Sequence, residues 1–221
     1  YNLSHEREGG SGMPAYFNLS VQFRRDELYP TFVKDFYALL DEAGMRFQSG
    51  YWGFEEDSLE ETTEWNQRKL EEDFNLGFTE HHSHDYKQVI YKFGGYSEVR
   101  GFWMNNYPED GEFTHEIIIP ESDVLAEGYP VRFKEERIEE LLGFSKRIWQ
   151  FPPVRAIQTG LEIEDDSAGL AELAQGGFPN AWPFAIVEDS RACYEDSIYD
   201  IQPITEGKKG LLFRRTGADN E

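Results

Sequence analysis

Hydrophobic and polar positions along the chain follow two periods. Ala15 to Phe23 (AYFNLSVQF) alternates, the two-residue period of a half-buried strand. Leu28, Phe32, Val33, Phe36, Leu39, Leu40 and Ala43 then recur every three or four residues, which predicts an amphipathic helix. Asp26 is expected to cap it, Pro30 to sit in its first turn and Gly44 to end it. Met45 to Phe54 predicts a returning strand or hairpin arm. Ser58 to Phe74 is highly charged, with Leu59, Thr63, Trp65, Leu70 and Phe74 as a poor apolar stripe, so a surface helix is expected there, opened by a Ser58/Glu61 capping box.

Lys87 to Phe93, Ser97 to Tyr107 and Phe113 to Ile119 are β-rich runs separated by Gly94-Gly95 and by Pro108 to Gly111, the pattern of an antiparallel meander. Arg132 to Gln150 carries Phe133, Ile138, Leu141, Leu142, Ser145, Ile148 and Trp149 on one face, a second amphipathic helix stopped before Pro152-Pro153. Beyond it, Val154 to Ile163 reads as a strand, Ala168 to Gln175 as a short helix closed by Gly176-Gly177, Trp182 to Val187 as a last core strand, and Leu211 to Phe213 as one more strand in the tail. The fold class is therefore α+β: a mixed or antiparallel sheet with two main amphipathic helices. Strand, helix and strand occur at 15–54 and again at 113–163, an echo that suggests two halves.

No tract rich in Pro, Ser or Gly divides residues 13–206, which read as a single domain followed by a tail at 207–221. Residues 1–12 look engineered: YNLSHERE precedes the flexible linker Gly9-Gly10-Ser11-Gly12, and Met13 reads as a natural start. The first eight residues are either a peptide ligand tethered to its receptor or a vector remnant. A linker of four residues spans at most about 14 Å, so a tethered ligand would dock close to Met13, along the edge of the first strand.

The 221 residues contain 43 Asp and Glu against 21 Lys and Arg, a formal charge of −22, together with 12 Tyr, 17 Phe and 5 Trp. The aromatic content argues against disorder. Nucleic acid and anionic membranes are repelled by such a surface, and the basic residues are scattered apart from Lys208, Lys209, Arg214 and Arg215. A basic protein is attracted, because a field of one sign speeds encounter with its opposite; plain solubility is the other reading of the same charge. The apolar runs are far shorter than the roughly 20 residues that cross a bilayer, and one cysteine with no export signal places the chain in a reducing cytoplasm.

Gly-x-Ser-x-Gly, Walker, dinucleotide-binding, Cys-x-x-Cys and His-Glu-x-x-His motifs are all absent. Cys193 lies among acidic neighbours that raise a thiol pKa, so it reads as an ordinary thiol rather than a nucleophile. Glu80-His81-His82-Ser83-His84-Asp85 gathers three of the five histidines; in an extended segment Glu80, His82 and His84 share one side and could hold a transition metal, with His115 the histidine on a distant strand. A polar loop is the alternative, and no cofactor is implied. Adjacent carboxylates such as Glu55-Glu56-Asp57 occur by chance at this composition and nominate no general acid or base.

Tyr51-Trp52-Gly53-Phe54 and Gly101-Phe102-Trp103-Met104 set large aromatics beside glycines, as core fillers or as binding anchors. The strand-helix-strand opening, the Tyr51-Trp52-Gly53 segment after the first helix, Asn180-Ala181-Trp182-Pro183-Phe184 and the missing catalytic motifs together resemble the immunity proteins of bacterial polymorphic toxin systems. That resemblance implies a cognate toxin domain, often basic, whose active site is covered or whose fold is locked. The expected contact surface is Tyr51 and Trp52 with Glu55, Glu56, Asp57, Glu60, Glu61 and Glu64. A peptide-binding adaptor or chaperone whose ligand resembles residues 1–8, and a metal-dependent or small-molecule enzyme, are the alternatives.

Overall fold

A computed structural model describes residues 15–72, 86–105, 111–161, 167–189, 194 and 198–216. Nine strands form one sheet in the order β2-β3-β4-β5-β1-β6-β7-β9-β8, and every neighbouring pair is antiparallel. They are β1 (Tyr16–Arg24), β2 (Arg46–Gly50), β3 (Val89–Lys92), β4 (Val99–Met104), β5 (Glu112–Pro120), β6 (Val154–Leu161), β7 (Phe184–Val187), β8 (Tyr199–Ile204) and β9 (Gly210–Arg215). Five helices accompany them: α1 (Phe32–Glu42), α2 (Leu59–Glu71), α3 (Glu121–Val124), α4 (Glu135–Ile148) and α5 (Leu170–Ala174). No helix among the described residues is long and apolar enough to cross a membrane.

The alternation read in β1 puts Phe17, Leu19, Val21 and Phe23 into the principal core with Phe32, Phe36 and Leu40 of α1 and Ile138, Leu141 and Ile148 of α4. Phe23 is its hub, with ring centroids 5.1 Å from Phe32, 5.2 Å from Phe36 and 5.3 Å from Phe113. On the far side, Ala156, Leu173, Ala181, Ala185, Val187 and Phe213 form a second, smaller core under α5. β7 is buried on both faces, which is why its sequence is an unbroken apolar run.

Several local expectations change. The first helix begins at Phe32, because Pro30 disfavours helical backbone at Tyr29; Asp26 lies instead in a separate 3₁₀ turn, Arg25–Glu27. Gly44 does end α1, at φ +98°. The Ser58/Glu61 capping box is present, but α2 buries Thr62, Asn66, Gln67 and Leu70 rather than the stripe through Leu59 and Trp65. Trp182 to Val187 is not the last core strand: β9 pairs with β7 and carries β8 on its outer side.

The two strand-helix-strand segments return differently. β5 already lies along one side of β1, so the strand after α4 takes β1's other side, whereas β2, after α1, is separated from β5 by β3 and β4. β1 is therefore central, hydrogen-bonded on both edges, and offers no edge to an added strand. Among the described residues the outer strands are β2, with Arg46 and Gln48 exposed, and β8, with Asp200, Gln202 and Pro203 exposed, polar and proline-bearing as exposed edges commonly are.

Candidate functional site

The residues expected to touch a partner separate into three groups. The first is an aromatic knob. Gly50 ends β2 in a turn so tight that a Cβ there would lie 1.9 Å from the Phe54 carbonyl oxygen, and the following 3₁₀ turn, Trp52–Phe54, throws the Trp52 ring outward. Trp52 is 69% exposed, the backbone has φ +52°, and its ring stacks on Tyr51 at 4.7 Å. A left-handed conformation at a tryptophan costs on the order of 1 kcal/mol, so the surroundings must hold it.

Arg100 of β4 supplies that hold. Its guanidinium carbon lies 4.6 Å from the Tyr51 ring and 4.6 Å from the Tyr16 ring, a cation between two aromatic faces, while its Nε pairs with Glu98 at 2.9 Å. Arg100 is itself buried. Glu55 and Glu56 stand exposed next in the chain. Sequence reasoning missed Tyr16 and Arg100, because only the pairing of β1 and β4 with β5 brings them to one face of the sheet.

The second group is structural. Asp57 forms an ion pair with Lys87, whose ammonium also lies over the Phe54 and Trp65 rings at 5.0 and 4.9 Å. Glu61 completes the capping box, accepting the Ser58 backbone N–H at 2.8 Å, and this bond and that from the Ser58 hydroxyl lower its pKa. Both carboxylates take part in the protein's own bonds.

Glu60 and Glu64 form the third group, one turn apart on the outer face of α2, where they rim a groove of about 590 Å³ between α1 and α2. Tyr37, Ala38, Phe47, Leu59, Thr63 and Tyr91 line it, and Lys34 and Asp41 stand on the α1 side.

Glu80, His82 and His84 lie outside the described residues, as do Cys193 and residues 1–14. His115, the distant histidine, is fully buried among Phe36, Tyr37, Tyr91 and Trp103, and desolvation pushes its pKa down to about 3, so the ring is neutral. Among the described residues no group of three or more His, Cys, Asp or Glu is placed to hold a metal.

Three of the four basic side chains near the C-terminus, Lys208, Arg214 and Arg215, are used internally. Lys208 lies 4.3 Å over Trp149 and donates to the Pro152 carbonyl at 3.1 Å, Arg214 pairs with Glu139, and Arg215 covers Trp182 at 3.7 Å. A second cavity of about 550 Å³ is lined by Arg24, Arg25 and Arg155, but these too are engaged: Arg155 with Glu27 and Glu188, Arg24 with Asp26, and Arg25 with Asn105 and the Leu70 carbonyl. Asn180 to Phe184 packs on β6, where Trp182 N–H donates to the Thr159 carbonyl at 3.0 Å.

An antiparallel α+β sheet protein with an aromatic knob and an acidic-rimmed groove is the class that fold and site define. The chain matches no protein-family model and no curated protein. A solved structure similar to it is the Pseudomonas aeruginosa T6SS protein PA0821, at 9% identity and a TM-score of 0.41, over 90% of this chain and 65% of that one. The chain thus spans just under two thirds of that protein's solved chain, and a likeness so loose carries no argument about function.

Proposed function

We propose that this chain is an acidic protein-binding module that neutralises a cognate toxin domain by covering it. The observation that carries the reading is Trp52: a large aromatic ring, exposed, held in a costly backbone conformation by the Tyr16-Arg100-Tyr51 stack, with Glu55 and Glu56 beside it. Exposed and preorganised aromatics are what binding hot spots are made of, and flanking carboxylates select a basic counterpart. The net charge of −22 adds long-range attraction to such a partner.

The test is binding of the purified chain to a panel of purified basic toxin domains, measured by biolayer interferometry at low and high salt, with the toxin's own activity assayed in the complex. A cognate domain binds, loses activity at a one-to-one ratio, and binds more slowly as salt rises. Complexes that form but leave every toxin active would defeat the neutralising role, and a panel with no binder at any salt would defeat the reading as a whole.

A further inference from the structure

Among the described residues several carboxylates are engaged in ion pairs: Glu27 and Glu188 with Arg155, Asp57 with Lys87, Glu98 with Arg100, Glu139 with Arg214. The rim of the α1–α2 groove is different. Asp41, Glu60 and Glu64, and the single cation Lys34, make no ion pair or side-chain hydrogen bond among the described residues.

The groove they surround is preformed. Gln67 of α2 accepts the Val33 N–H of α1 at 2.9 Å and donates to the Tyr29 carbonyl at 2.9 Å. Asn66 donates to the Tyr37 hydroxyl at 3.1 Å and to the Lys87 carbonyl at 2.9 Å. The bonds to Val33 and Tyr37 tie the two helices together along the inner face of α2, with the floor of Tyr37, Phe47 and Leu59 open between their outer faces. Leu59 remains 38% exposed at its mouth.

We infer that the groove receives a cationic amphipathic segment of a protein partner, its apolar side chains on that floor and its Lys or Arg side chains against Asp41, Glu60 and Glu64. Three unengaged carboxylates against one ammonium select for positive charge. The one-turn spacing of Glu60 and Glu64 matches Lys or Arg at i and i+4 of a facing helix. The volume, about 590 Å³, accommodates a few side chains. The inference draws on the function proposed above only for the source of the segment; the groove itself is tested with a defined peptide.

The experiment is a titration of the ¹⁵N-labelled chain with an acetylated 14-residue Leu/Lys amphipathic helix, followed by two-dimensional NMR. Saturable shifts are expected at the amides of Ala38, Phe47 and Thr63. Glu60→Lys with Glu64→Lys should weaken the peptide about 10-fold or more, whereas the equal charge change Glu55→Lys with Glu56→Lys should cost less than about 3-fold. Ala38→Trp, at an exposed helix position, fills the groove without altering charge and should weaken binding as strongly. Equal loss in the two charge variants, or full affinity in Ala38→Trp, would show that the peptide answers only to net charge and would overturn the inference. Trp52→Ala should leave peptide binding unchanged, so failure of the knob and failure of the groove are read separately.

Discussion

Asn66 of α2 donates to the hydroxyl of Tyr37 of α1 at 3.1 Å, and the same hydroxyl accepts the Trp103 indole N–H of β4 at 3.0 Å. Two helices and the sheet thus meet at one phenol oxygen. Asn66 also closes both backbone groups of Lys87, accepting its N–H at 2.8 Å and donating to its carbonyl at 2.9 Å. A helix with almost no apolar stripe is docked by hydrogen bonds that an apolar side chain could not replace.

Asn66→Ala is accordingly expected to destabilise the protein by on the order of 3 kcal/mol, since it strands a buried backbone N–H and carbonyl as well as removing a partner of Tyr37. Urea denaturation should show a lower midpoint at an unchanged slope. A loss below about 1 kcal/mol would mean that water reaches this junction.

Gly101 faces the Tyr91 ring and the His115 imidazole, and a Cβ there would lie 2.4 Å from Tyr91 Cε2 and 2.8 Å from His115 Nε2. Gly101→Ala should cost about 1–3 kcal/mol by overpacking. Gly143, inside α4, has nothing within 4 Å of the same position, so Gly143→Ala should stabilise by about 0.5–1 kcal/mol through helix propensity. Thermal melts of the two variants should therefore move in opposite directions.

The folded pKa of His115, about 3, lies below the ordinary 6.5 because burial excludes its charged form. Between those values the unfolded chain binds a proton that the folded chain refuses, so stability rises with pH there. Its contribution is complete above about pH 6.5 and is lost on acidification toward pH 3, with a slope of at most about 1.4 kcal/mol per pH unit. His115→Phe removes the titrating group. Subtracting its stability-versus-pH curve from that of the wild type isolates this slope, and a flat difference between pH 3 and 6.5 would show that the imidazole charges without unfolding.

Trp52→Ala should weaken the complex with a cognate toxin domain by about 2 kcal/mol or more, roughly 30-fold, mainly through faster dissociation. The ring is 69% exposed in the free protein, so the unfolding free energy should change by less than about 1 kcal/mol. Arg100→Gln, which dismantles the Tyr16-Arg100-Tyr51 stack, should weaken binding too although Arg100 is itself buried. Surface plasmon resonance of both variants beside denaturation curves separates a lost contact from a lost fold.

Periodicity alone was enough to place β1, the amphipathic helices α1 and α4 and the β3-β4-β5 meander within a few residues, because each buries a repeating face that leaves its period in the sequence. The Ser58/Glu61 box marked the start of α2 by spacing alone, and Tyr51 and Trp52 stood out by size beside glycine. β8 left no such trace, since an exposed edge strand of YDIQPI carries little apolar pattern. Neither did the buried face of α2, whose Asn66 and Gln67 read as polar until their partners on α1 and at Lys87, ahead of β3, are known.

Tertiary structure decided the rest through pairing, which sequence does not encode locally. It set β1 at the centre of the sheet, brought Tyr16 and Arg100 under Tyr51, and engaged Asp57 in an ion pair with Lys87. Glu60 and Glu64 were left on the rim of a groove between two helices. Six neighbouring carboxylates and two aromatics look equivalent along the chain; Glu61 apart, whose bonds to Ser58 are local, which of them are engaged depends on residues tens of positions away, as Asp57 does on Lys87.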